Sequence, residues 1–197
     1  MNANTKKPTR RVAQRGFSLV EGLLTIALGA TIAAVAIPYF TKGSADIRAQ
    51  STADGMSVII SGVKDRFGSL GGYGGVTNAN VISNTIIPKS FPINGTTINT
   101  PYGGGSTVAF AAADGNSTFT VTVTGLTSAA CNAIAAKIDA VTTGIGAGAA
   151  APAEGTLSNA ATATTIKAVG GALDPAKTVT QCADVSNGVV QLIAKSQ

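Results

Sequence analysis

The sequence predicts an α+β fold: one long N-terminal α-helix, half transmembrane and half amphipathic, packed on an antiparallel β-sheet. Three patterns predict it. A basic run opens directly into an apolar stretch, helical spacing of apolar residues continues beyond that stretch, and period-two alternation appears after residue 105. A C-terminal region bounded by the two cysteines completes the outline.

The apolar stretch comes first. Five of the 14 basic residues, Lys6, Lys7, Arg10, Arg11 and Arg15, precede Gly16 in a segment without acids. The rest of the chain balances, so the net charge of +5 belongs to this run. A nucleic-acid binder would spread its basic groups over a folded face, and nucleic acid is therefore not an expected partner. Phe17 to Phe40 holds a single charge, Glu21, and Gly22 to Thr41 holds none. At about 1.5 Å per residue this spans the roughly 30 Å of bilayer hydrocarbon. The basic flank keeps the N-terminus in the cytoplasm and sends the remainder across. Gly22, Gly29, Ala33 and Ala36 offer small residues for close helix contact.

Beyond Pro38, Met56, Ile59, Ile60, Val63, Phe67 and Leu70 recur at helical spacing, with Asp54, Ser57, Ser61 and Asp65 between them. The reading is one helix from Phe17 to Leu70, bent near Pro38, which removes a backbone donor. Gly71-Gly72-Tyr73-Gly74-Gly75 ends it. Residues 76–105 read as loop, with prolines at 88, 92 and 101. Ser106–Ala112 and Thr118–Thr124 read as strands, the latter placing Phe119, Val121 and Val123 on one face and threonines on the other. Thr127 or Ser128 caps a helix reaching about Thr143, with Cys131, Ile134, Ile138 and Val141 as its buried stripe. Residues 144–165, largely Ala, Gly and Thr, read as a surface loop, and Gly188–Ala194 as a final strand entering the sheet from far along the chain.

Composition excludes much chemistry. The chain has no histidine, which removes His-based acid–base catalysis, Ser-His-Asp triads and His-ligated metals. Two cysteines cannot build a zinc site without it. Lys64, Asp65 and Arg66 read as exposed helix charges, and Asn94-Gly95-Thr96 and Asn116-Ser117-Thr118 as ordinary turns. No catalytic residue, cofactor or metal is expected. The compartment beyond a bacterial inner membrane is oxidising, which suits a Cys131–Cys182 disulfide; the alternative is a pair of buried thiols.

Two readings of the N-terminus follow. One is a secretory signal peptide cut after Ala36 in Ala34-Val35-Ala36, releasing a soluble protein that begins at Ile37. Against it stand Glu21 near the start of the apolar region and the apolar residues Ile37, Tyr39 and Phe40 beyond the cut. The other rests on Gly16-Phe17-Ser18-Leu19-Val20-Glu21, which resembles the processing motif of type IV pilins and pseudopilins. The resemblance implies that a prepilin peptidase cleaves after Gly16 and methylates the amine of Phe17. It makes Glu21 the fifth mature residue and Pro38 the twenty-second, where pilins commonly carry a helix-kinking proline.

Residues 1–16 are then a leader, 17–40 a transmembrane and polymerisation helix, 41–70 its amphipathic half, and 71–197 a globular head. Within the head, Cys131 and Cys182 resemble the disulfide bounding the C-terminal region of type IV pilins. Gly125-Leu126 followed by Cys131 looks most like type IVb major pilins of the toxin-coregulated and conjugative thin-pilus type. Phe17 and the short leader are more like type IVa.

The implied function is the major structural subunit of a type IV pilus, with Phe17 and Glu21 as assembly residues. A carboxylate in hydrocarbon costs several kcal/mol unless paired, and the Phe17 amine of a neighbouring subunit, freed by cleavage, would pair it. Implied partners are identical subunits in a helical filament, prepilin peptidase, the inner-membrane assembly machinery and, before assembly, lipid. The head would lie in the periplasm before assembly and outside the cell in the pilus. The alternatives are a pseudopilin of a type II secretion or DNA-uptake system, or the soluble secreted protein.

Overall fold

A computed structural model describes residues 18–150, 157, 164–183 and the backbone of 190–196. The chain forms two units, Met1–Thr41 and Lys42–Gln197. One helix, α1 (Leu19–Gly68), contributes to both. Pro38 lies within it without ending it.

In the second unit, α1 buries Ala49, Ala53, Met56, Ile59, Ile60, Val63 and Phe67, a stripe at the expected spacing. Leu70 departs from that stripe. It follows the helix end and stays 73% exposed, because the chain turns through Gly71 and Gly72 at positive φ before packing resumes at Tyr73. Two glycines within the stripe have steric reasons. A Cβ on Gly55 would run into the Phe91 ring, and one on Gly62 would lie 2.8 Å from Ile86 Cγ2. The segment after α2 (Asn78–Ser83) therefore rests directly on the α1 backbone.

The strands are β1 (Ile93–Asn94), β2 (Thr97–Asn99), β3 (Thr107–Ala113), β4 (Thr118–Leu126), β5 (Gly144–Gly148), β6 (Thr165–Lys167) and β7 (Val190–Ser196). They form one sheet in the order β1-β2-β3-β4-β7-β5-β6, antiparallel throughout. Phe119, Val121 and Val123 of β4 join the α1 stripe in a single core with Val108, Phe110 and Ile98. Each such large side chain contributes on the order of 1.5–3 kcal/mol by leaving water. Tyr73 and Phe119 meet there, their ring centroids 5.0 Å apart. The threonine side of β4 is less wet than alternation implies: Thr118 and Thr120 are buried as well, and Thr124 Oγ1 lies 2.8 Å from Thr107 Oγ1 on β3.

Several expectations change. The surface loop expected over 144–165 gives way to strand at both ends: Gly144–Gly148 is β5, buried throughout and paired on both sides, and Thr165 opens β6, while 151–156 and 158–163 lie outside the described residues. Glycine and alanine there reflect tight packing, since a Cβ on Gly144 would lie 3.1 Å from Val169 Cγ2. The helix after Thr127, α3 (Ser128–Ile138), stops five residues short of the expected end and finishes in a 3-10 turn over Asp139–Val141. Two helices had no apolar run to announce them, α2 and α4 (Pro175–Ala183). The final strand lies two residues later than expected, between β4 and β5.

Candidate assembly helix and disulfide-bounded region

Gly16 and Phe17 lie outside the described residues. Glu21 stands in the first turn of α1 and is exposed. Its own carbonyl accepts from the Thr25 hydroxyl at 3.0 Å, and the Ser18 carbonyl accepts from the Gly22 N–H at 3.0 Å, so the turn carrying the carboxylate is closed. Leu19, Val20, Leu23, Leu24, Ile26, Leu28, Ile32, Val35, Ile37, Tyr39 and Phe40 are each at least 60% exposed. Such a continuous apolar surface marks a membrane or protein contact. By length and composition this segment is long and apolar enough to cross a bilayer. A Cβ on Gly22 or Gly29 would meet nothing within 4 Å, so their small size serves no contact within the described chain.

Threonine hydroxyls along the segment bond to its own backbone. The hydroxyls of Thr25, Thr31 and Thr41 donate to carbonyls three or four residues earlier. Thr41 thus returns a donor to the Ile37 and Pro38 carbonyls just past the proline. Local satisfaction of this kind lets hydroxyls enter an apolar medium cheaply.

In the second unit, Cys131 on α3 and Cys182 on α4 form a disulfide, with Cα atoms 5.7 Å apart and both residues fully buried. Thr127 caps α3, accepting from the Ala130 N–H at 3.4 Å, and its hydroxyl lies 2.6 Å from Tyr102 Oη. The other end is held by Lys167 of β6. Its ammonium donates to the carbonyls of Asp139 and Thr142 at 2.6 and 2.9 Å and pairs with Asp139 Oδ1 at 2.7 Å. A cation at a helix C-terminus satisfies orphan carbonyls and opposes the helix dipole. Sequence reasoning missed this lysine, which lies 25 residues from the turn it caps.

Burial and the nearby Lys167 ammonium hold Lys64 below the ordinary lysine range, so Lys64 is half-buried rather than a free surface charge. Asp65 and Arg66 are exposed as expected, Arg66 donating to Asn84 Oδ1 at 3.0 Å. An exposed pair, Lys137–Asp54 at 2.9 Å, links α3 to α1.

Gly125, carried by the Gly125-Leu126…Cys131 pattern, has a defined task. It adopts φ +72° at the shift in β4–β7 register, and a Cβ there would lie 2.9 Å from Ser106 Cα. Leu126 beyond the shift is fully buried.

Comparison with known proteins agrees with this architecture. Residues 46–194 match the family model described as PilS N terminal. Among solved structures, the fold is similar to TcpA, a type IV pilin from Vibrio cholerae El Tor biotype. The TM-score is 0.57 and the identity 15%, covering 76% of this chain and 99% of that chain. No curated protein sequence matches it. The fold, with its long apolar N-terminal helix, is that of a type IV pilin. The chain belongs to the PilS N-terminal family. Pilins are structural subunits that self-assemble into filaments.

Proposed function

We propose that this protein is the major subunit of a bacterial type IV pilus, made as a prepilin, cut after Gly16 and polymerised through its N-terminal helix. In this reading residues 1–16 are the leader, 17–40 the membrane and polymerisation segment, 41–70 the amphipathic half and 71–197 the head. The observation that carries it is the exposed apolar surface from Leu19 to Phe40, interrupted by one carboxylate, Glu21.

Before assembly that surface faces lipid, with the basic N-terminus cytoplasmic and the head periplasmic. In the filament it faces identical helices. Lipid tails are as apolar as leucine, so moving a helix from one to the other gains little by burial alone, and close packing at Gly22 and Gly29 helps. The Glu21 carboxylate supplies direction. Buried and unpaired it costs several kcal/mol; placed against the α-amino group of Phe17 on a neighbour, it gains a charge-assisted hydrogen bond. Cleavage after Gly16 creates that amine, so processing by prepilin peptidase enables the pairing. The assembly machinery of the inner membrane would deliver subunits to the growing base. Pro38 takes the helix-kinking role in this reading.

The disulfide favours this reading over a pseudopilin, a class that generally lacks a long cysteine-bounded region. Mass spectrometry of the extracellular form is the test. It is expected to report an N-methylated Phe17 and an oxidised Cys131–Cys182 pair together. A chain beginning at Ile37 would overturn the reading in favour of signal-peptide export.

A further inference from the structure

The turn between β1 and β2 carries a chemistry that neither the fold nor filament assembly uses. Asn94 ends β1, pairs with Thr97 of β2, and is followed by Gly95 at φ +61°. Both are exposed, and a Cβ on Gly95 would meet nothing within 4 Å. Among the described residues, the Asn94 side-chain amide has no hydrogen-bond partner, whereas those of Asn78, Asn80, Asn84, Asn99 and Asn132 are each held by a backbone carbonyl. Asn116 is followed by Ser117 and packs against Gly74. Asn94 therefore combines a free carboxamide, solvent access and a following residue without a side chain to crowd its backbone nitrogen.

We propose that Asn94 is a site of self-catalysed deamidation on the surface of the head. The Gly95 backbone nitrogen attacks Asn94 Cγ, forming a C–N bond. The Cγ–Nδ2 bond breaks, and Nδ2 leaves as ammonia with the proton that the Gly95 amide gives up to solvent base. The product is a five-membered succinimide. Water then adds to either imide carbonyl and breaks its bond to nitrogen, leaving an aspartate or an isoaspartate. No oxidant, reductant or second protein enters. The net change is –NH2 for –O⁻, one new negative charge at the tip of the β1–β2 hairpin. The isoaspartate product also adds one backbone atom between Asn94 and Gly95, which disturbs the two-residue turn.

The test is peptide mapping by liquid chromatography and mass spectrometry of the full-length protein, incubated for successive days in mildly alkaline and mildly acidic buffer. Folded protein is compared with protein unfolded in urea. The expected result is a gain of one mass unit at Asn94 with paired aspartate and isoaspartate peaks, faster in alkali. The folded rate should be comparable to the unfolded one, while Asn78, Asn80 and Asn99 stay intact in the fold. Asn187-Gly188, outside the described residues, is mapped separately as an internal reference. Gly95→Asn, which tolerates positive φ, should slow the reaction about tenfold or more by crowding the attacking nitrogen. Two results would overturn the proposal: Asn94 left intact in the folded protein while converting in urea, or conversion at an unchanged rate in Gly95→Asn.

Discussion

A hydrogen atom in place of a methyl decides the packing of α1. Gly55 leaves the Phe91 ring nowhere to retreat, because that ring is 2% exposed and part of the core. Gly55→Ala is expected to destabilise the head by about 1–3 kcal/mol, the usual range for overpacking, despite alanine's better helix propensity. Urea denaturation followed by circular dichroism measures it. Lys64 poses a charge question. Its folded-state proton affinity is depressed, by burial and then by Lys167, so the folded state holds its proton less firmly than the unfolded chain. Its charge opposes folding at neutral pH, and that opposition fades as pH rises through the lowered value toward 10.5. Lys64→Gln is therefore expected to stabilise the protein slightly at neutral pH, the gain vanishing near 10.5. Melting temperatures of both proteins across alkaline pH check the sign.

At the scale of elements, α3 is secured at three places: the Thr127 cap, the Cys131 disulfide and Lys167 at its end. Thr127→Ala is expected to cost about 1 kcal/mol. Lys167→Met leaves two carbonyls and the Asp139 carboxylate without their cation and is expected to cost about 2 kcal/mol, since hydrogen bonds to charged groups are worth roughly 1.5–3 kcal/mol. Replacing Cys131 and Cys182 by serine removes a crosslink separating residues 51 apart and should cost about 2–5 kcal/mol. The exposed Lys137–Asp54 pair should matter least, under about 1 kcal/mol. Equilibrium unfolding of the four variants ranks these contributions. A Lys137→Ala loss as large as that of the cysteine variant would contradict the order.

These elements also mark the limit of what the sequence discloses. The long helix, β3, β4 and the start of α3 were legible because each carries a strong apolar period or a cap. The buried β5 was not, because Gly144, Gly146 and Gly148 alternate with only Ile145 and Ala147, and a strand of so little side chain resembles a loop. Its burial comes from neighbours on both sides, a tertiary property. Likewise α4 has its Cys182 and Thr178 buried but Val179 exposed, so its apolar signal is faint. Of the proposed assembly residues, Glu21 stands out in sequence as the lone charge in an apolar run, and it lies exposed in the first turn of α1.

For the whole molecule, the division after Thr41 separates two solvent preferences. Among the described residues, the second unit gathers most of its large apolar side chains into one core, whereas the first exposes nearly all of its own. Glu21→Ala tests how the first unit chooses between lipid and its own kind. Membrane insertion should persist, because alanine removes a cost in hydrocarbon. Filament yield should fall well below wild type. Counting sheared filaments against membrane-bound subunit gives the answer, and an undiminished yield would refute the proposed pairing.

The placement of β7 sets a timetable. Among the described strands it is made last, yet it fills the gap between β4 and β5. As the polypeptide emerges, two exposed edges wait for a partner still inside the ribosome or the translocation channel. Long-range pairing of this kind is slow, and half-made sheets invite mispairing with other chains. Completing the sheet of the head thus waits for residues 190–196, and chains cut short before them, lacking that keystone, should be degraded faster by added protease than the full chain.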